Sequence, residues 1–287
     1  MINLGNTYGD LGDHKKRKEL LERALPTFEK HYGSSHASVA KLLVNLGITY
    51  GDLGDHKKQK KLLEQALAIQ EKHYGPDHFE IAITLTNLGN AYGDLGDHKK
   101  KKELLERALA IDKKHLGSEH FEVAITLVNL GNAYYALGDP QKAKELFEQT
   151  LAIQEKHYGS SHFQVAITLI NLSNAYGDLG DLQKAKELLE QALPILEKHY
   201  GSDYFTIAII LENLGITCGD LGDHKKKKEL LERALTIKKK YYGSEHPEVA
   251  KLLANLGIVY GALGDHKQAK ELLEQASFIL EKHHVHD

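Results

Sequence analysis

The chain has 287 residues, 41% hydrophobic and 27% charged, and its 37 Lys and Arg against 40 Asp and Glu leave a net charge of −3. That balance exerts no overall pull toward nucleic acid or membrane, and the lone Cys218 excludes a disulfide framework. No apolar run approaches the roughly 18 residues that cross a bilayer, and the opening MINLGNTYGDLGD lacks the basic and apolar regions of a secretory signal; a reducing, cytoplasmic location is the resulting expectation.

The tripeptide Asn-Leu-Gly, or a close variant, begins at Asn3, Asn45, Asn87, Asn129, Asn171, Asn213 and Asn255, always 42 residues apart. A fixed period of this size is the mark of a repeat array. Taken in chain order, the copies run about 1–35, 36–77, 78–119, 120–161, 162–203, 204–245 and 246–287, and with no linker or composition shift they make a single domain, 1–287. Copy one opens on a two-turn stub, Met1 to Tyr8. Copy three shows the full unit. Asp77 can cap a first helix, in which Ile81, Leu85, Leu88 and Tyr92 fall at steps of four, three and four. Gly93-Asp94-Leu95-Gly96 breaks it. Asp97 then caps a second helix carrying Leu104, Leu105, Ala108, Leu109 and Ile111, which Gly117 ends. The second cap recurs as Asp13, Asp55, Asp139, Asp181, Asp223 and Asp265. Residues 93–109 and 219–235 are identical. No period-two alternation appears, so strands are excluded, and each helical hairpin must stack on its neighbours to bury its apolar faces.

The hairpin resembles the tetratricopeptide (TPR) repeat, whose signature is W-x2-L-G-x2-Y, then A-x3-F, then P. Leu88-Gly89-x-x-Tyr92 matches its middle, with Leu85 in place of Trp. Ala143-x3-Phe147 matches the second element, and Ala185-x3-Leu189 and Ala269-x3-Leu273 nearly do. The 42-residue form, with ALAIQEKHYGPDHFEIA between hairpins, is similar to the arrays of kinesin light chain and nephrocystin-3-like proteins. The resemblance implies an all-α, right-handed α-α superhelix of seven hairpins, the first truncated, with first helices lining a concave groove. Where the small Ala between paired helices is replaced, by Arg17, Gln59, Lys101 and Lys227, looser hairpins are expected in copies one, two, three and six.

The groove face lies opposite the apolar stripe: in copy three, Ile83, Asn87, Asn90 and Asp94. The candidate peptide-binding residues are therefore Asn45, Asn87, Asn129, Asn171, Asn213 and Asn255, the second row Asn90, Asn132 and Asn174, and the acidic row Asp52, Asp94, Asp178 and Asp220. Asparagine offers both a donor and an acceptor, so a ladder of them can grip the backbone of an extended peptide. The aspartates would favour Lys or Arg in that peptide. Chaperone-binding TPR modules hold a terminal carboxylate with basic residues that this chain mostly lacks.

The alternative is a basic edge built from the runs at 14–18, 56–61, 98–102 and 224–228, which would take acidic partners or anionic surfaces. Positive charge at a helix start opposes the helix dipole, so the runs do not serve the helix. They contain no stacking aromatic, which weighs against nucleic acid. The 18 histidines follow the repeat with spacing poor for metal, and the terminal His283, His284 and His286 read as a frayed end. No Walker loop, nucleotide-binding glycine fingerprint, HExxH or GxSxG occurs, so the expectation is a protein-binding scaffold that is no enzyme and carries no cofactor or metal. The stub at the start and the uncapped last hairpin leave two readings, a piece of a longer protein or an array that self-associates end to end.

Overall fold

The computed structural model describes residues 2–284; the side chains of Ile2, Asn3, Asn6 and His284 fall outside that description, and with them Asn3 and Asn6, the copy-one equivalents of Asn87 and Asn90, and the terminal His284 and His286. The described residues form fourteen helices and no strand. In chain order they pair as α1 (Ile2–Asp10) with α2 (His14–Tyr32), α3 (Ala37–Asp52) with α4 (His56–Tyr74), and α5 (Phe79–Asp94) with α6 (His98–Leu116). Next come α7 (Phe121–Ala136) with α8 (Pro140–Tyr158), α9 (Phe163–Asp178) with α10 (Leu182–Tyr200), α11 (Phe205–Asp220) with α12 (His224–Tyr242), and α13 (Pro247–Ala262) with α14 (His266–His284). The chain divides into two compact units, Met1–Ile153 and Gln154–Asp287.

The second helices start where the caps were expected. Each of the seven aspartates accepts, through Oδ1, the backbone N–H three residues on, at 2.9–3.1 Å, satisfying one of the orphan donors of the first turn. Between paired helices the chain reverses through Gly96 at φ +87° and leaves α6 through Gly117 at φ +84°, backbone that a residue with a Cβ rarely adopts. The first helices start one residue later than expected. His78, not Asp77, is the cap, and its Nδ1 accepts the Glu80 N–H at 3.3 Å. His36, His120, His162 and His246 cap in the same way, while Tyr204 stands at this place in α11 without a side-chain bond. Asp77 instead pairs with Lys114 at 3.5 Å. Five of the 18 histidines are therefore helix caps.

In the first unit Ile81, Leu85 and Leu88 are buried against Leu63, Ala66, Leu104, Ala108 and Ile111, so the core lies both within hairpins and between successive ones. Leu105, Val123, Leu127, Leu130 and Leu146 continue it. In the second unit Leu169, Leu172, Leu189, Leu196, Ile207 and Leu211 are buried. Cys218 is buried there too, and desolvation pushes its thiol pKa up, as for an inert core residue.

The expected looseness of copies two, three and six is not found: their helices pair as closely as those of copies five and seven. The reason is the residue opposite. The Lys101 stem lies across Gly93, so that a Cβ on Gly93 would sit 2.6 Å from Lys101 Cδ; Gly219 and Lys227, Gly51 and Gln59, and Gly9 and Arg17 repeat the arrangement. The long side chain fills the room that the glycine leaves.

Candidate functional site

On α5, α7, α9 and α11 the outward face carries an exposed isoleucine followed one turn later by an asparagine, as in Ile83 then Asn87 and Ile125 then Asn129, whereas α3 and α13 have Lys41 and Lys251 in place of the isoleucine. Asn87 Nδ2 donates to the Ile83 carbonyl at 2.8 Å, and Asn129 Nδ2 to the Ile125 carbonyl at 2.9 Å. The back-bond holds the amide in one orientation with Oδ1 turned away from its own helix. What the face offers a ligand is therefore weighted toward acceptors.

Asn87, Asn90 and Asn129 come together around one cavity of about 230 Å³, with Ile83, Ile125, Thr126 and Glu122 in its walls. Asp112, from α6, also lines it. Asn45 and Asn132 are half-buried on α3 and α7; in the second unit Asn171, Asn174 and Asn213 are half-buried and Asn255 is exposed. The acidic row behaves differently. Asp52 lies 3.3 Å from His14 Nδ1 and 3.7 Å from Arg17, and Asp94 lies 3.4 Å from His56 Nδ1. These two carboxylates meet the start of the preceding second helix. Asp178 and Asp220 are exposed, and Pro140 and Leu182 stand where the other copies have those histidines.

Asp112 was not among the residues expected here, because it belongs to a second helix. It occupies a repeat position that faces the next first helix, fourteen residues on. Gln154 at that position accepts a hydrogen bond from Thr168 at 2.7 Å, and Asp112 Oδ2 accepts one from Thr126 at 2.7 Å. Leu196 and Ile210 are a buried apolar pair at the same level. Lys238 is only 7% exposed in its side chain; its Nζ donates to Glu212 Oε2 at 3.1 Å, 2.8 Å from Oε1, and lies 3.5 Å from Glu248. The Asp112 carboxyl is pushed above its ordinary 3.8, first by burial and then by Glu122, while the Thr126 bond and the His120 imidazole, when charged, act in the opposite direction. The signal in the sequence was a single acidic residue at a position that otherwise reads Phe28, Gln70, Gln154, Leu196, Lys238 and Leu280.

The basic runs are partly consumed within the chain. Lys60, Lys102 and Lys228 place Nζ 4.9–5.2 Å from the ring centres of Tyr92, Tyr134 and Tyr260 on the next first helix, and Lys18 stands 5.8 Å from that of Tyr50. Lys16, Lys100 and Lys226 pair with glutamates three residues on.

The model of the tetratricopeptide repeat matches residues 1–72, 60–114, 102–156, 122–198 and 200–282. Among solved structures, a kinesin light chain-like protein of Podosopora anserina with nearly identical TPR-like repeats is 34% identical, with TM-score 0.59, covering 69% of this chain and 93% of that one. BtubC from P. vanneervenii is 22% identical, with TM-score 0.67, covering 80% of this chain and 92% of that one. A Rap protein in complex with competence and sporulation factor is 20% identical, with TM-score 0.62, covering 98% of this chain and 74% of its own; these last two likenesses show the fold. No curated protein matches the chain.

Proposed function

Since the chain belongs to the tetratricopeptide repeat family, we propose that it is a protein-interaction scaffold that orders an extended peptide segment on the outward face of its first helices. The observation that carries this reading is the back-bonded asparagine. Seven asparagines at one helical position carry a propensity cost, and the back-bond seen at Asn87 and Asn129 turns that cost into a fixed acceptor beside an exposed isoleucine. A peptide backbone supplies N–H donors at regular spacing, and a preformed surface reduces the entropy lost when it is ordered. Asp112 and Glu122 beside the asparagines, and the exposed Asp178 and Asp220, favour partners with basic residues. The test is affinity capture from native lysate with wild-type protein and with Asn87→Ala/Asn129→Ala. Partner recovery should fall about tenfold while the helical circular dichroism is unchanged; undiminished capture by a folded double variant would sink the reading.

The basic edge and end-to-end self-association are weaker proposals. At least two members of each basic run have partners inside the chain, so less of its charge is left for anionic surfaces. No helix among the described residues is long and apolar enough to cross a membrane.

A further inference from the structure

Positions that line the cavity bounded by α5, α6 and α7 recur three repeats later with different charges. Thr86, Asp112 and Glu122 all line the cavity. Three repeats of 42 residues on, the same positions hold Glu212, Lys238 and Glu248. There the lysine ammonium is sunk between two carboxylates of its own chain, 2.8 Å from one and 3.5 Å from the other. In the first unit the lysine is replaced by an aspartate, one of the glutamates remains, and among the described residues neither Asp112 nor Glu122 is in an ion pair. At every other level these two positions hold at most one carboxylate: Ser38 with Phe28, Glu80 with Gln70, Gln164 with Gln154, and Thr206 with Leu196.

Resting on the groove reading above, we propose that this cavity recognises a lysine side chain of the bound peptide, whose ammonium takes between Asp112 and Glu122 the place that Lys238 takes in the second unit. Asp112 is 8% exposed, so its charge is largely out of water; such a carboxylate is relieved by a cation brought in with its own hydrogen-bond donors. Its remaining lone pairs can accept from an ammonium, which carries three donors. Asn90 Oδ1, buried and without a hydrogen-bond partner, lines the same cavity and offers a further acceptor. Ile83 and Ile125 stand in the walls, where the methylene stem of a lysine would pack. The volume, about 230 Å³, falls below the roughly 300–1,000 Å³ of pockets for whole small molecules and suits one side chain. A metal ion is disfavoured, because no group of three His, Cys, Asp or Glu side chains among the described residues could hold one.

The probe is a fluorescein-labelled nonapeptide, Ser-Gly-Ser-Ala-Lys-Ala-Ser-Gly-Ser, titrated onto the full chain beside versions with acetyl-lysine or arginine at the centre. Anisotropy and backbone amide shifts are the readouts. The lysine peptide should move the amides of Asn90 and Thr126. Acetylation, exchange for arginine, and Asp112→Asn should each weaken binding about tenfold, because a charged, geometrically matched pair is lost. Asp112→Lys should abolish it, because the chain then supplies its own ammonium. Binding indifferent to acetylation or to Asp112→Asn overturns the proposal, as does the absence of any shift at millimolar peptide, and equal binding of the arginine peptide overturns its lysine specificity. If lysine dependence is absent while Asn87→Ala/Asn129→Ala still loses the captured partner, the groove reading stands and the lysine site alone is lost.

Discussion

Gly93 and Lys101 are one packing unit, the lysine stem of the second helix filling the room that the glycine of the first leaves. The small residue that paired helices require sits on the second helix in copy four, as Ala143, on both helices in copies five and seven, as Gly177 with Ala185 and Gly261 with Ala269, and on the first helix in copies one, two, three and six, as Gly9, Gly51, Gly93 and Gly219. Lys101 has its ammonium pKa lowered by burial, with Asp94 pulling the other way, which is the electrostatic cost of this solution. In copy five both positions are small, and a Cβ on Gly177 would meet nothing within 4 Å. A glycine inside a helix costs about 0.5–1 kcal/mol relative to alanine. Gly177→Ala should therefore raise Tm, by roughly 2–4 °C for each kcal/mol recovered. Gly93→Ala should not, because Lys101 Cδ lies 2.6 Å from the new atom, and Gly93→Ala/Lys101→Ala should recover the gain. Thermal unfolding of the three variants decides it, and a gain from Gly93→Ala alone equal to that from Gly177→Ala would contradict the paired-packing account.

At the scale of the element, successive hairpins are tied by a bond that the repeat signature conceals. Tyr92 Oη donates to Glu64 at 2.6 Å and Tyr134 Oη to Glu106 at 2.7 Å; Tyr50 with Glu22 and Tyr260 with Glu232 repeat the pairing. Sequence placed the tyrosine on the apolar stripe, which is right for its ring, but the partner lies 28 residues earlier on another hairpin and follows no local periodicity. The same blindness hid the histidine caps, since imidazole is not among the side chains that ordinarily mark a helix start. The hydrogen bond to Glu64 is the main cause, ahead of burial, that pushes the Tyr92 hydroxyl from 10.0 up to about 12. A pKa raised in the folded state means stability that is complete below pH 10 and lost as pH rises through about 12. Tyr92→Phe and Tyr134→Phe should each lower stability at pH 8, by under about 1 kcal/mol for such exposed pairs, and the deficit should shrink as the pH passes 10. Chemical denaturation at pH 8, 10 and 11 measures it; a deficit independent of pH would assign the loss to packing instead.

For the whole molecule, the features that were legible in sequence are those that every copy must repeat: the aspartate caps, the glycine turns and the apolar stripes, whose 42-residue period is enforced by the stacking itself. The cavity was not legible because it depends on a residue that the copies do not share. Residues 93–109 and 219–235 are identical, yet just beyond them one helix turns Asp112 and the other Lys238 into the next hairpin. A chain built from such similar hairpins gains its distinctions at these buried levels, and the charged ones bear a desolvation cost. Lys238 is offset by Glu212 and Glu248; Asp112 has only Thr126 and the influence of His120. Because burial raises the Asp112 pKa above 3.8, the folded chain holds that proton more tightly than the unfolded chain. The penalty of the charged form is therefore absent below pH 3.8, grows as pH rises from 3.8 to the raised value, and is complete above it. Asp112→Asn keeps an acceptor for Thr126 and removes the charge. Its Tm should exceed that of the wild type by a few degrees at pH 7, an advantage of roughly 1 kcal/mol in a chain of this length, and the difference should close on acidification to pH 3.5. A cation bound at Asp112 would remove the same penalty, so a ligand that occupies this place must stabilise the wild type by linkage and leave Asp112→Asn nearly unmoved.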